Sequence, residues 1–133
     1  MEAGVNFRRG DYSPLVLAYL GDSFFETLAR AYLIGNGDHK TAELNDASRS
    51  LVTAAGQSKI VEIILPLLNE EETVIFKSGR NAKSAHHSKS ASIVDYRRAT
   101  GLECLYGYFW LTGQTERAKE LFDICVKEGK NDG

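Results

Sequence analysis

The sequence has little cysteine, proline, methionine or tryptophan: two, two, one and one among 133 residues. Two cysteines with no C-x-x-C spacing exclude a zinc module or a disulfide scaffold. Cys104 and Cys125 both fall at apolar helical positions, so they read as reduced core residues in a reducing cytosol. Long apolar runs are also missing, which excludes a membrane-spanning helix. The start, M-E-A-G-V-N-F-R-R, lacks the apolar stretch of a signal peptide. A cytoplasmic location is therefore expected. No internal repeat and no convincing strand alternation is present. A net charge of −2 gives no global sign of a polyanionic partner. What is present, 43% hydrophobic and 26% charged residues, suffices for a core and excludes a disordered chain. One domain over 1–133 is expected, with a core of about 12–128, a short lead-in and a frayed tail.

The spacing predicts a helix from Pro14 to about Ala31. Ser13 is a suitable N-cap, and Pro14 suits the first helical position. Leu17, Leu20, Phe24, Leu28 and Ala31 share one face, while Leu15, Ala18, Ala29 and Leu33 occupy the other. A helix apolar nearly all round is expected to be central and buried. Asp22 stands in its middle with Glu26 one turn on, and a buried carboxylate needs a cation, a metal or hydrogen-bond donors. Gly21 gives up about 1 kcal/mol of helix propensity, which points to a close backbone approach beside Asp22.

Further along, G-N-G-D breaks the chain at Gly35–Asp38, and a helix is expected from Asp38 to Gly56 with Leu44, Ala47, Leu51 and Ala55 inward. Ile60, Ile63, Ile64, Leu67 and Leu68 predict another helix, kinked or stopped at Pro66. Asn69 and Glu72 form a capping-box signal for the next, which has acids first and Lys77 late. From Ser78 to Ser92 the chain reads S-G-R-N-A-K-S-A-H-H-S-K-S-A-S, a long basic loop of the kind that is usually functional or disordered. Helices are expected again from Ile93 to Gly113 and from Thr115 to about Lys127. The fold class is all-α.

Between Ala99 and Thr115 the only charged residue is Glu103. Two lone carboxylates, Asp22 and Glu103, on two core helices suit a hard cation such as Mg²⁺, with substrate phosphate completing the shell. Imidazole and thiolate are not placed to compete for zinc. The alternative is structural pairing with Arg49, Arg97 or Arg98. Lys77, Arg80, Lys83, His86, His87, Lys89, Arg97 and Arg98 are opposed only by Asp95, a concentration of charge that binds phosphate backbones. A solvated loop is the bland alternative. Base-stacking aromatics are absent there, which favours duplex shape over single strands. Tyr106, Tyr108, Phe109 and Trp110 read as core.

L-A-Y-L-G-D-S-F-F-E (Leu17–Glu26) resembles the signature helix of the ribonuclease III family, and R-A-T-G-L-E-C-L-Y-G-Y-F-W-L (Arg98–Leu111) resembles its second acidic helix. S-G-R-N-A-K-S (Ser78–Ser84) is similar to the connecting motif of the Mini-III subgroup, which lacks a double-stranded-RNA-binding domain. The resemblance covers nearly the whole chain, and no such module is expected after the last helix. It implies an all-α homodimer with two sites along one valley. It also implies Mg²⁺-dependent cleavage of double-stranded RNA, with Mn²⁺ able to substitute, to 5′-phosphate and 3′-hydroxyl ends. Precursor 23S ribosomal RNA is the implied substrate. Asp22 and Glu103 fall on the family's essential acids, catalytic and metal-binding, with Glu26 a supporting residue behind them. Lys77, Arg80, Asn81, Lys83, Lys89 and Arg97 are the expected RNA contacts. Leu15 and Tyr19 are the expected dimer contacts. Leu15, Ala18 and Thr100 stand where full-length members carry acids, so the number of metals stays open. The competing functions are a non-catalytic RNA-binding scaffold of this fold and an all-α Mg²⁺-dependent nucleotide phosphohydrolase.

Overall fold

The computed structural model describes residues 7, 8, 10–35, 51–83 and 92–132, with side chains given to residue 128. Among them there are helices and no strand. In chain order they are α1 (Pro14–Gly35), α2 (Ala54–Ile64), a 3₁₀ turn (Leu65–Leu67), α3 (Glu70–Arg80), α4 (Ile93–Leu111) and α5 (Thr115–Asp132). The helix expected from Asp38, with Leu44, Ala47 and Arg49, lies outside the described residues until Leu51. His86, His87 and Lys89 lie outside them too.

The start signals act as their chemistry requires. Ser13 Oγ accepts from Val16 N at 3.2 Å and starts α1. Asn69 Oδ1 accepts from Glu72 N at 2.8 Å, while Glu72 Oε1 accepts from Asn69 N at 2.9 Å, a complete capping box. Pro66 ends α2 and sits in the 3₁₀ turn. Ser92 Oγ accepts from Asp95 N and starts α4.

Three expectations need correction. The break expected at Gly56 falls earlier: Thr53 Oγ1 accepts from Gly56 N, so Gly56 lies in the first turn of α2. The loop expected from Ser78 begins later, because α3 runs on to Arg80. Gly79 holds that last turn in place by packing on α4, where an added Cβ would come within 3.0 Å of Gly101 Cα. The central helix is α4 and not α1. All four other helices pack on α4, and from Ala99 to Phe109 only Glu103 is not buried.

Helix α1 buries Leu17, Ala18, Gly21, Phe25 and Ala29. This stripe is turned from the expected one, which leaves Ala31 exposed and Leu20, Phe24 and Leu28 half-buried. The reason is Gly21: a Cβ there would overlap the Glu103 carbonyl oxygen, and one on Gly107 would overlap the Leu17 carbonyl oxygen. Only with the glycines facing each other can the two backbones touch, and that fixes which face of α1 turns inward. Around this crossing, Phe25 meets Tyr106 and Phe122 edge to face, with centroids 5.3 and 5.5 Å apart. The Tyr106 hydroxyl donates to the Ala118 carbonyl at 2.7 Å. Both cysteines are free and buried, and burial pushes their thiols up to about 11 (Cys104) and about 12 (Cys125).

Candidate active site

The outward stripe of α1 runs Leu15, Val16, Tyr19, Asp22, Ser23, Thr27. Asp22 is therefore exposed and Glu103 only half-buried, which corrects the expectation of two buried carboxylates. The Gly21 contact explains their pairing. It presses α1 onto the Glu103 turn of α4 and brings the Asp22 carboxyl beside that of Glu103. Burial raises the Glu103 carboxyl most, the Asp22 hydrogen bond and charge raise it further, and the Gln57 amide pulls it back; the net result is about 9.

No arginine balances this pair among the described residues. Arg98 Nη1 donates to Ser58 Oγ at 3.2 Å and to Glu62 Oε1 at 3.1 Å. Arg97 points to solvent, and Arg49 is outside the described residues. Glu26 lies one turn beyond Asp22, where it pairs with Arg30 at 2.8 Å on the surface. Thr100 Oγ1 donates back to the Tyr96 carbonyl at 3.0 Å. Described groups of three or more metal-ligating side chains are absent. The donor set that remains consists of oxygens from two adjacent carboxylates short of positive charge, which fits a hard divalent cation better than zinc.

The described cationic residues collect at the end of α3 and the start of α4. Since Gly79 packs on Gly101, the end of α3 lies beside the turn that leads to Glu103. Lys77, Asn81, Lys83 and Arg97 are exposed there. Arg80 is half-exposed and donates from Nε to Asn81 Oδ1 at 3.1 Å. Leu15 is 40% exposed and Tyr19 85% exposed on the stripe that leads to Asp22. An apolar cavity of about 300 Å³, lined by Leu20, Ser23, Phe24, Thr27 and Trp110, opens beside that stripe. The sequence reading missed Gln57, a polar residue in line with Ile60, Val61 and Ile64; that misplaced amide was the available signal.

Fold and site together define a helical domain with an acidic pair at a helix crossing and exposed basic residues at the end of α3. Comparison with known proteins narrows this. The family model of the Ribonuclease III domain matches residues 15–114. A Mini-ribonuclease 3 of Brevibacillus brevis is 43% identical over 121 residues, covering 90% of each chain. One from Desulfitobacterium hafniense is 44% identical over 129 residues, 92% of this chain and 82% of its own. A crystal structure of a protein from Fusobacterium nucleatum superposes with a TM-score of 0.81 at 34% identity, covering 90% of this chain and 96% of that one. The chain belongs to the ribonuclease III family.

Proposed function

We propose that this chain cuts double-stranded RNA by Mg²⁺-dependent hydrolysis, with Asp22 and Glu103 holding the metal and the basic residues holding the duplex. As a family member the chain is an endoribonuclease. The observation that supports the site assignment is the backbone contact of Gly21 with Glu103, which sets Asp22 and Glu103 side by side with no described cation against them. Bound Mg²⁺, or Mn²⁺ in its place, supplies an activated water and neutralises charge on the scissile phosphate and the leaving 3′-oxygen. Asp22 and Glu103 fix where that happens, because both are carried on helices locked by backbone contact. Water adds across the P–O3′ bond, leaving a 5′-phosphate and a 3′-hydroxyl. Lys77, Arg80, Asn81, Lys83, Lys89 and Arg97 grip the phosphate backbone.

The rest of the reading follows from the family and from the exposed stripe of α1. The substrate is a precursor of 23S ribosomal RNA in the cytoplasm, a reading supported by the Mini-ribonuclease 3 relatives. No helix among the described residues is long and apolar enough to cross a membrane. The protein works as a homodimer, with Leu15 and Tyr19 packed against a second copy. Residues 1–133 form one catalytic domain with its core over about 12–128.

The test is cleavage of duplex RNA with Mg²⁺, beside a nucleoside triphosphate control, by wild type, Asp22→Asn, Glu103→Gln and the double variant. Each single change is expected to cost on the order of 10³-fold or more, and the double little more, because residues acting as a unit are non-additive. All should keep the fold and bind duplex. Variants that melt much earlier yet cut at wild-type rates would overturn the site; triphosphate hydrolysis without RNA cleavage would overturn the function.

A further inference from the structure

Gln57 sits in the first turn of α2, where Thr53 O accepts its backbone N–H at 2.8 Å. It occupies the apolar stripe one turn before Ile60 and Val61, all three of them buried. A leucine would satisfy that position. Instead an amide lies there, 2% exposed, against the Glu103 carboxyl. Its Nε2 is the described buried side-chain nitrogen with no hydrogen-bond partner. Buried donors left unpaired are uncommon and costly, so this one asks for an explanation.

We infer that Gln57 is a positioning residue for Glu103, its Nε2 held ready to donate to the Glu103 carboxylate and keep that carboxylate turned toward the cation. This rests on the metal-site reading above. A carboxylate that gives one oxygen to a metal needs a donor for the other, and such outer partners commonly set metal affinity. The neighbouring donors are committed. Arg98 is taken by Ser58 and Glu62, and the Thr100 hydroxyl by the Tyr96 carbonyl. Among the described residues, Gln57 Nε2 is the buried side-chain donor left over. Its neutrality matters as well. A lysine or arginine there would orient Glu103 but also cancel the negative charge that attracts the cation. An amide orients without neutralising.

The experiment measures Mn²⁺ binding to RNA-free protein by electron paramagnetic resonance, with thermal melts on the same samples. The variants are Gln57→Met and Gln57→Leu, both close in volume to glutamine, with Asp22→Asn as control. Both Gln57 variants are expected to bind Mn²⁺ about 10–100-fold more weakly. They should melt at or above the wild-type temperature, because the unpaired buried donor is gone. Their metal-free affinity for duplex RNA should not change. A purely structural role for Gln57 predicts the opposite pattern, a lower melting temperature with unchanged Mn²⁺ affinity, and that result overturns the assignment. If Asp22→Asn binds Mn²⁺ like wild type, the metal site itself falls. If Asp22→Asn loses the ion while a folded Gln57→Met or Gln57→Leu keeps wild-type affinity, only the role of Gln57 falls.

Discussion

Alanine at Gly21 sets local preference against tertiary contact. In an isolated helix the change gains about 1 kcal/mol. In this fold the new Cβ would overlap the Glu103 carbonyl oxygen and stand 2.6 Å from Gly107 N and 2.7 Å from Glu103 C. Ordinary non-bonded contact is about 3.5–4.0 Å, so relieving the overlap with the Glu103 carbonyl oxygen needs α1 and α4 to separate by about 2 Å. Every atom in the way is main chain, and no rotamer can relieve it. Overpacking costs about 1–3 kcal/mol even where side chains can move, so the upper end applies. After the propensity gain, about 2 kcal/mol of destabilisation remains. At this chain length each kcal/mol shifts Tm by about 3–4 °C, which gives a fall of about 7 °C. Cleavage should suffer more than stability. Asp22 moves with α1 and Glu103 with α4, and a misplacement of about 1 Å costs on the order of 10²-fold in rate. Calorimetric melts at fixed protein concentration, with cleavage rates taken well below both melting temperatures, test this directly. A Tm equal to or above wild type, with normal cleavage, would refute the close crossing and the account of the site built on it.

Arg117 is expected to be a second point of weakness: its Nε and Nη2 donate to the two oxygens of Glu72 at 2.9 and 3.0 Å, and Glu72 is 1% exposed. Arg117→Met should cost about 2–4 kcal/mol, below the top of the buried-pair range because the arginine is partly exposed; a denaturant midpoint within 0.5 kcal/mol of wild type would discard this. Burial raises the Glu72 carboxyl, but the Arg117 hydrogen bonds, the Asn69 N–H and the Arg117 charge outweigh it, and the net direction is down. Its stabilising contribution is therefore present above the ordinary carboxylate range and drains away as pH falls through it, a slope that Glu72→Gln should flatten in acid melts. Replacing Arg80, Lys83 and Lys89 by alanine should weaken duplex binding and lower its salt slope by about one unit per lost contact, and an unchanged slope would mark these residues as merely solvated. Sedimentation should find a dimer at micromolar concentration, and Tyr19→Glu should shift it to monomer; an active monomeric wild type would refute the role given to the α1 stripe.

Much of this architecture was legible because its signals are local. Ser13-Pro14, Asn69 with Glu72, and Pro66 each act within one turn, and each does in the fold what its chemistry predicts. Gly21 was legible as a close approach, since no other reason explains a glycine inside an apolar helix. The inward face of α1 was not legible. With apolar residues on both sides the period is ambiguous, and the choice is made by Gly107 far along the chain. The same holds for Ser78–Arg80, where a serine and a glycine are held helical by Gly79 packing against Gly101. The acidic pair could be named from pattern, Glu103 as the one charge between Ala99 and Thr115 and Asp22 as the acid set beside Gly21 in the middle of an apolar helix. Gln57 showed only as an amide out of place on an apolar stripe, because its meaning depends on Glu103 being beside it.

The glycine crossing also bears on how freely this sequence can change. Elsewhere in the core, helix separation depends on the bulk of leucines and phenylalanines between the axes, so exchanging them would shift the helices by fractions of an ångström. Between Asp22 and Glu103 nothing of that kind intervenes, because main chain rests on main chain. The spacing of the two carboxylates is thus insulated from the composition of the core around it. A library randomising Phe25, Leu105 and Phe109 among apolar residues should scatter widely in melting temperature, while every member that folds keeps the two acids in register.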